Sequence, residues 1–560
     1  MLRWYIICFL IWFSSNGTAQ TMQDELKRYD VVELRIKADS EKLNHILKIG
    51  GIAIDHGSTA DSIILVVSKK AFQTFNELGL SYEWIPRKES TLRVKDYNYI
   101  SSLKSRSACM EDMNYYPAYQ AYVSMMYDFE ARYPGLCQTL DLGTLSSGRK
   151  ILAVKITSDI EDEELKPGFF YTSTMHGDEL VGYPMMLQLI DYLLCNYDTD
   201  DRIKSIVDNV NIYINPLANP DGTYRGGDTT VEQSIRFNNS FVDLNRSFPD
   251  PKVGQYRPIQ EETEIFMQFA DDYRINMSCN LHSGVELINY PWDTYSERHA
   301  DDSWMLRVAR DYADTVQSFS PEGYFLDEDN GVTNGFDWYE VNGSRQDYHT
   351  YFKRGREMTL ELSDIKRLDS DSLPSYWHYN RNALLNYLEE SQYGLRGKVT
   401  DCNSGEPLEA EVYIEFHDRR NSSVFSDSIS GQYFRYLAQG NYTISFMAEA
   451  YDTLSQIVTI LDKSNNVLDV ELCPNGSVNT KDNFDDEIQI VVQGNKIRIQ
   501  APTRLSGFRF MIYDVSGQKC HEGDIIDMSI MLDTHMSPGL YSLVLLQDAV
   551  PYSFNFMYLR

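Results

Sequence analysis

Between residues 114 and 391, short apolar runs alternate with amphipathic stretches of helical spacing. Phe169 to Thr174, Val210 to Ile214, Asn276 to His282 and Met358 to Leu362 read as strands. Tyr116 to Tyr133, Gly182 to Tyr197 and Gln260 to Tyr273 carry apolar residues at helical intervals and read as helices. Strands separated by helices of that length cannot pair as hairpins. They require crossovers, and so an α/β domain with a mixed, mostly parallel sheet covered by helices. In such sheets ligands bind beyond the carboxyl ends of the strands.

Two strand ends carry chemistry. His176-Gly177-Asp178-Glu179 follows the first apolar run, and Asn280-Leu281-His282-Ser283-Gly284 ends a later one. His176, Glu179 and His282 together make a His₂Glu set. Three protein ligands of this kind hold Zn²⁺ and leave a fourth position for water, the catalytic rather than the structural arrangement.

The same region carries further motifs in order. They are Asn219-Pro220-Asp221-Gly222, Arg236 with Asn238-Asn239, Asp243-Leu244-Asn245-Arg246, Asn289-Tyr290-Pro291-Trp292-Asp293, Thr333-Asn334-Gly335, Trp338-Tyr339, Gln346-Asp347-Tyr348 and Thr359-Leu360-Glu361-Leu362. This series resembles the N/E branch of the zinc metallocarboxypeptidases (carboxypeptidases D, E, M and N). The resemblance implies one Zn²⁺ per catalytic domain on His176, Glu179 and His282, with Glu361 as general base. It implies Arg236 as the group that stabilises the oxyanion. It implies Asn245 and Arg246 as the clamp on a substrate's terminal carboxylate, Tyr339 as a tyrosine closing over substrate, and Asp293 with Gln346 as the pocket for a basic side chain. A guanidinium fork binds a carboxylate bidentately, so such a clamp selects free C-termini. Ser283 and Ser247 depart from the family pattern, and Asp178 stands near where the digestive branch has an extra arginine.

Around this domain (108–392) the chain divides further. Arg3, an apolar run from Tyr5 to Phe13 and Gly17-Thr18-Ala19 read as a signal peptide, residues 1–19. Residues 20–107 read as a small βαβ-like accessory or pro-segment followed by a polar linker, Lys88 to Ser107. Residues 393–474 alternate as strands and resemble the transthyretin-like β-sandwich of N/E enzymes. Residues 475–486 read as a linker. Residues 487–560, with Tyr513-Asp514-Val515-Ser516-Gly517 and Ser537-Pro538-Gly539, resemble the C-terminal sorting domain of type IX secretion; a carbohydrate-binding or adhesion module is the alternative.

With 51 basic and 82 acidic residues, the net charge of −31 argues against nucleic acid or an anionic membrane as partner. No later run is apolar and long enough to span a bilayer. Seven cysteines follow the signal, sparse and not in CxxC pairs, which gives neither a disulfide scaffold nor a zinc knuckle; Cys402 and Cys473 either pair or remain buried thiols. The expectation is a secreted or cell-surface zinc carboxypeptidase acting on peptide or protein C-termini, favouring Lys or Arg, with outer-membrane secretion machinery as a partner of its tail. A peptidoglycan stem-peptide carboxypeptidase and a non-catalytic surface-binding protein are the alternatives.

Overall fold

A computed structural model describes residues 21–475 apart from 38–42, 44, 57, 59–61, 105–108, 111 and 161–165. Beyond 488 it describes the strands of the last segment, apart from 494–495, 501–508, 516, 526–528, 533–535, 538, 548–549 and 559–560. The stretch read as a signal peptide and nearly all of the stretch read as a linker, 475–486, lie outside the described residues.

The centre is an eight-stranded sheet. Its strands run, across the sheet, Val332–Asn334, Glu286–Tyr290, Arg356–Leu362, Met277–His282, Gly168–Ser173, Asn211–Asn215, Lys150–Ile156 and Cys137–Thr144. The four strands from Arg356–Leu362 to Asn211–Asn215 are mutually parallel, and antiparallel strands complete both sides. Met277–His282, Gly168–Ser173 and Arg356–Leu362 are buried at every position. Burial on both faces is what parallel strands under helices require, and it explains their near-continuous apolar character. The helices Tyr119–Arg132, Gly182–Asn196, Asp302–Phe319 and Leu373–Glu389 contribute Met125, Leu189, Val308 and Leu384 to the largest core cluster.

The register of the central strands sets the chemistry. Met277–His282 pairs with Arg356–Leu362 so that His282 lies beside Glu361. Both strands end at the same sheet edge. There Gly168–Ser173 runs into His176, three residues beyond its last strand position.

Residues 21–95 form a separate four-stranded antiparallel sheet, ordered Ile52–Ile54, Ser62–Ser68, Val31–Lys37 and Tyr82–Ile85, with the helices Met22–Tyr29 and Lys69–Glu77. The stretch read as a linker is structured at most of its positions. Thr91 and Arg93 bond to Asp369, Ser370 and Asp371, Val94–Lys95 pairs with Tyr116–Pro117, and the helix Tyr97–Lys104 follows. Both polar bonds and apolar packing hold this stretch, with Ile100 buried in the largest core cluster and Leu92, Val94 and Tyr97 packed against it.

Residues 394–472 fold as two facing sheets around Leu395, Val412, Ile444 and Phe446. Cys402 and Cys473 are disulfide-bonded, the first of the two alternatives, and a second disulfide joins Cys109 and Cys195, which the sequence pattern did not indicate. The β-sandwich meets the central domain through a buried charge cluster. Asp301 accepts from Arg356, from both terminal nitrogens of Arg435 and from His417, and Arg435 also reaches Asp418. Asp301, His417 and Asp418 lie close enough to ligate a cation. The two buried guanidiniums already neutralise them, so the cluster reads as structural. Strands between 489 and 558 form two further small sheets, and no described helix is long and apolar enough to cross a membrane.

Candidate functional site

The three expected ligands converge. His176 Nδ1 lies 2.9 Å from Glu179 Oε1, His282 Nδ1 lies 2.8 Å from Glu179 Oε2, and the two Nδ1 atoms are 3.1 Å apart. All three side chains are buried. His176 Nε2–H donates to Asp243 Oδ1 at 2.9 Å, the outward bond that fixes the tautomer of a ligating imidazole. Asn280 approaches His282 Nε2 at 2.7 Å through its amide nitrogen, while its Oδ1 has no partner. A half-turn of that amide offers Oδ1 to Nε2–H. Both Nδ1 lone pairs then face each other across Glu179. Two imidazole nitrogens and a carboxylate gathered within about 3 Å of one another are a set a divalent cation takes, so the donor set fits zinc.

The sequence places these groups for local reasons. Gly177 is required where the His176–Glu179 turn crosses another segment: a Cβ there would lie 2.4 Å from the backbone of Gly222. Asn219 caps the short helix Pro220–Thr223 through Gly222 N–H, and its amide donates to the carbonyl of Met175, next to His176. Thus the Asn-Pro-Asp-Gly motif buttresses the metal-binding turn.

Electrostatics separate the two carboxylates. Burial pushes Glu179 up, but His176 and His282 outweigh it and hold its carboxyl well below the usual range. Burial first, and the Glu179 charge second, hold Glu361 well above it. Neither oxygen of Glu361 has a hydrogen-bond partner, although the side chain is buried. A cation at the ligands would reverse this balance by supplying the missing countercharge.

Arg236 is fully buried. Its Nε donates to Asp243 Oδ2 at 2.9 Å and its Nη1 to Glu179 Oε1 at 3.2 Å, while Nη2 has no partner. Asn245, Arg246, Asp293, Tyr339 and Glu361 line one pocket. Gln346 stands behind it, its Nε2 donating to Asp293 Oδ1 at 2.8 Å. Burial raises the Asp293 carboxyl to about 6, with Ser344 and Arg246 pulling the other way. Gly335 is glycine because a Cβ would sit on the Asp293 carboxylate. Tyr348 is not at the site but packs on Phe248. Asp178 pairs with Arg367 at 3.6 Å, away from the ligand cluster.

One functional residue escaped the sequence reading. His56, in the loop after the strand Ile52–Ile54, lies at the centre of this site. Its Nε2 is 3.3 Å from Glu179 Oε1, its Nδ1 is 3.5 Å from Glu361 Oε1, and Tyr339 Oη reaches Nδ1 at 3.3 Å. Its ring stacks on Trp338 at 5.5 Å. Burial lowers its pKa to about 4, leaving a neutral imidazole. Asp55-His56-Gly57 has no ligand spacing of its own, so no signal in the sequence marked it.

Imidazoles and a carboxylate buried at the carboxyl edge of a mixed α/β sheet, beside a glutamate that makes no hydrogen bond, define a metal-dependent hydrolase centre. The model of the family described as zinc carboxypeptidase matches residues 122–383. Carboxypeptidase M of Mus musculus is 31% identical over 347 residues, 59% of this chain and 78% of that protein. Human carboxypeptidase D is 32% identical over 351 residues, 59% of this chain and 25% of that protein. The chain thus spans about a quarter of the length of the carboxypeptidase D relatives it matches. The crystal structure of carboxypeptidase A from Helicoverpa armigera superposes with a TM-score of 0.50 at 16% identity, covering 65% of this chain and 98% of that one; it bears on the fold alone. The chain belongs to the zinc carboxypeptidase family.

Proposed function

We propose that this chain is an exported zinc-dependent carboxypeptidase that hydrolyses the C-terminal bond of peptides or proteins, favouring Lys or Arg. The observation that carries the reading is the register pairing of His282 with Glu361, which stands a buried carboxylate that makes no hydrogen bond beside the metal ligands. When bound at His176, Glu179 and His282, zinc supplies Lewis acidity that polarises the scissile carbonyl and acidifies a water.

The chain's own groups do the rest. Glu361 takes the proton of the attacking water and returns it to the leaving amine, a transfer worth about 10² to 10⁴ in rate. Arg236 Nη2, an unsatisfied donor, meets the developing oxyanion. Arg246 and Asn245 hold the terminal carboxylate, so only the last peptide bond reaches the metal. Tyr339 closes the pocket wall and excludes water. Asp293, buried and backed by Gln346, pairs with the basic side chain; a neutral side chain would leave it unpaired.

The test is zinc-loaded protein on matched blocked peptides ending in Arg, Lys, Phe, Glu or diaminopimelate, with and without chelator. Chelator-sensitive release of Arg and Lys is expected from the chain or from its His56→Ala variant. Release of Phe or Glu instead refutes the role of Asp293. Preference for diaminopimelate indicates peptidoglycan stem peptides as substrate. No release by the chain or its His56→Ala variant refutes the enzyme. Export rests on the N-terminal charge and apolar pattern and on the two disulfides, which persist in oxidising compartments.

A further inference from the structure

We propose that His56 is a fourth protein ligand to the metal at His176, Glu179 and His282, and that residues 21–95 hold the site closed until they are drawn away. The proposal rests on the zinc reading of that site. Catalytic zinc centres keep one position open, whereas four protein ligands make a closed centre. Bonds of about 2.0–2.1 Å to a tetrahedral ion place ligand atoms roughly 3.4 Å apart. His56 Nε2 stands 3.3 Å from Glu179 Oε1, close to that spacing, and the ligand atoms of His56, His176, Glu179 and His282 all fall within 4.8 Å of one another.

His56 also occupies the space substrate needs. Its ring lies between the ligands and Trp338, with Glu361 and Tyr339 on its other nitrogen and Arg236 Nη1 3.4 Å from Nε2. It therefore stands on the base, the oxyanion arginine and the tyrosine together. A scissile carbonyl and a water cannot reach the metal while the ring is there. Gly284 admits it: a Cβ at that position would lie 3.0 Å from the imidazole.

The module is built to hold this pose. Asp55, next to His56, forms a buried ion pair with Lys366, just beyond the Glu361 strand. Val31, Ala53 and Val66 share an apolar cluster with Ile235 and Phe237, flanking Arg236. Arg87 donates to the carbonyls of Glu232 and Ser234, and Arg225 pairs with Asp30. The contacts of Asp55, of the apolar cluster and of Arg87 fall on segments that carry Glu361 or Arg236.

The experiment compares the full chain with its His56→Ala variant, both loaded with Co²⁺, whose visible absorption reports coordination. One Co²⁺ per chain is expected in each. The parent spectrum should resist acetohydroxamate, a small chelating ligand, whereas that of His56→Ala should shift at once. Added imidazole should return the variant's spectrum towards the parent's, which no merely structural role of His56 explains. Zinc affinity should fall roughly tenfold or more in the variant, as loss of a supporting group already does at other zinc sites, while turnover of blocked Arg peptides rises. Asp55→Ala, which keeps the imidazole and removes its latch, should respond to the hydroxamate at intermediate concentration. Identical spectra and identical hydroxamate responses in parent and His56→Ala overturn the proposal alone. Failure of both to bind Co²⁺ overturns it together with the zinc reading.

Discussion

Replacing Asp293 by Asn separates two effects of one buried charge. Burial raises this carboxyl from 3.8 to about 6. At about 1.4 kcal/mol per pH unit, that rise is worth roughly 3 kcal/mol. The sign follows from proton binding. The folded chain holds the proton more tightly, so the group favours the fold below pH 4, loses this advantage between pH 4 and 6, and costs a constant amount above. Asn keeps the bond from Gln346 and never ionises. Calorimetry of the metal-free protein should show the variant more stable at pH 8, by up to about 3 kcal/mol, with little difference near pH 4. Selectivity should move the other way. Truncating one partner of a buried charge pair costs about 2–5 kcal/mol, so the kcat/KM preference for Arg over an uncharged isostere should fall by about thirtyfold or more. In the parent the same preference should fade below about pH 6, as Asp293 protonates. A variant no more stable at pH 8, with its selectivity intact, would refute both the buried charge and its role in the pocket.

Other sites give sharper tests of single roles. Glu361→Gln should bind one zinc per chain by metal analysis and lose about 10² to 10⁴ in kcat; substantial residual turnover would sink the general base. Gly335→Ala drives a methyl into the Asp293 carboxylate, so KM for Arg peptides should rise while zinc content stays unchanged. Asp301→Ala strands the buried guanidiniums of Arg356 and Arg435 and should cost about 3–5 kcal/mol in unfolding experiments. Reducing Cys109–Cys195, which closes a loop of 86 residues, should lower stability by about 2–4 kcal/mol.

The central sheet was legible because its strands are continuous apolar runs between helical stretches, a pattern that only buried parallel strands under helices satisfy. His176 and Glu179 are marked by a local spacing and, like Glu361, by the resemblance of their motifs to those of the zinc metallocarboxypeptidases. His56 is not. Its function comes from the docking of one small sheet on another domain, and nothing in Asp55-His56-Gly57 encodes that contact. Cys109 and Cys195 are likewise joined by tertiary proximity rather than spacing. The polarity of the stretch from Lys88 reads as a solvated linker; docking instead bonds the backbone N–H groups of Thr91 and Arg93 to Asp369 and Ser370, and the Arg93 guanidinium to Asp371.

Asp301 sets a limit on how this molecule can be dissected. It sits at the start of a central-domain helix, yet Arg435 and His417 from the β-sandwich supply three of its bonds. A cut near residue 392 would leave the Asp301 carboxylate with Arg356 as its one guanidinium partner and open the face of Trp304 that stacks on Tyr436. The smallest excisable enzyme therefore ends after Cys473, and shuffling of catalytic halves between relatives succeeds only when the sandwich travels with its own helix.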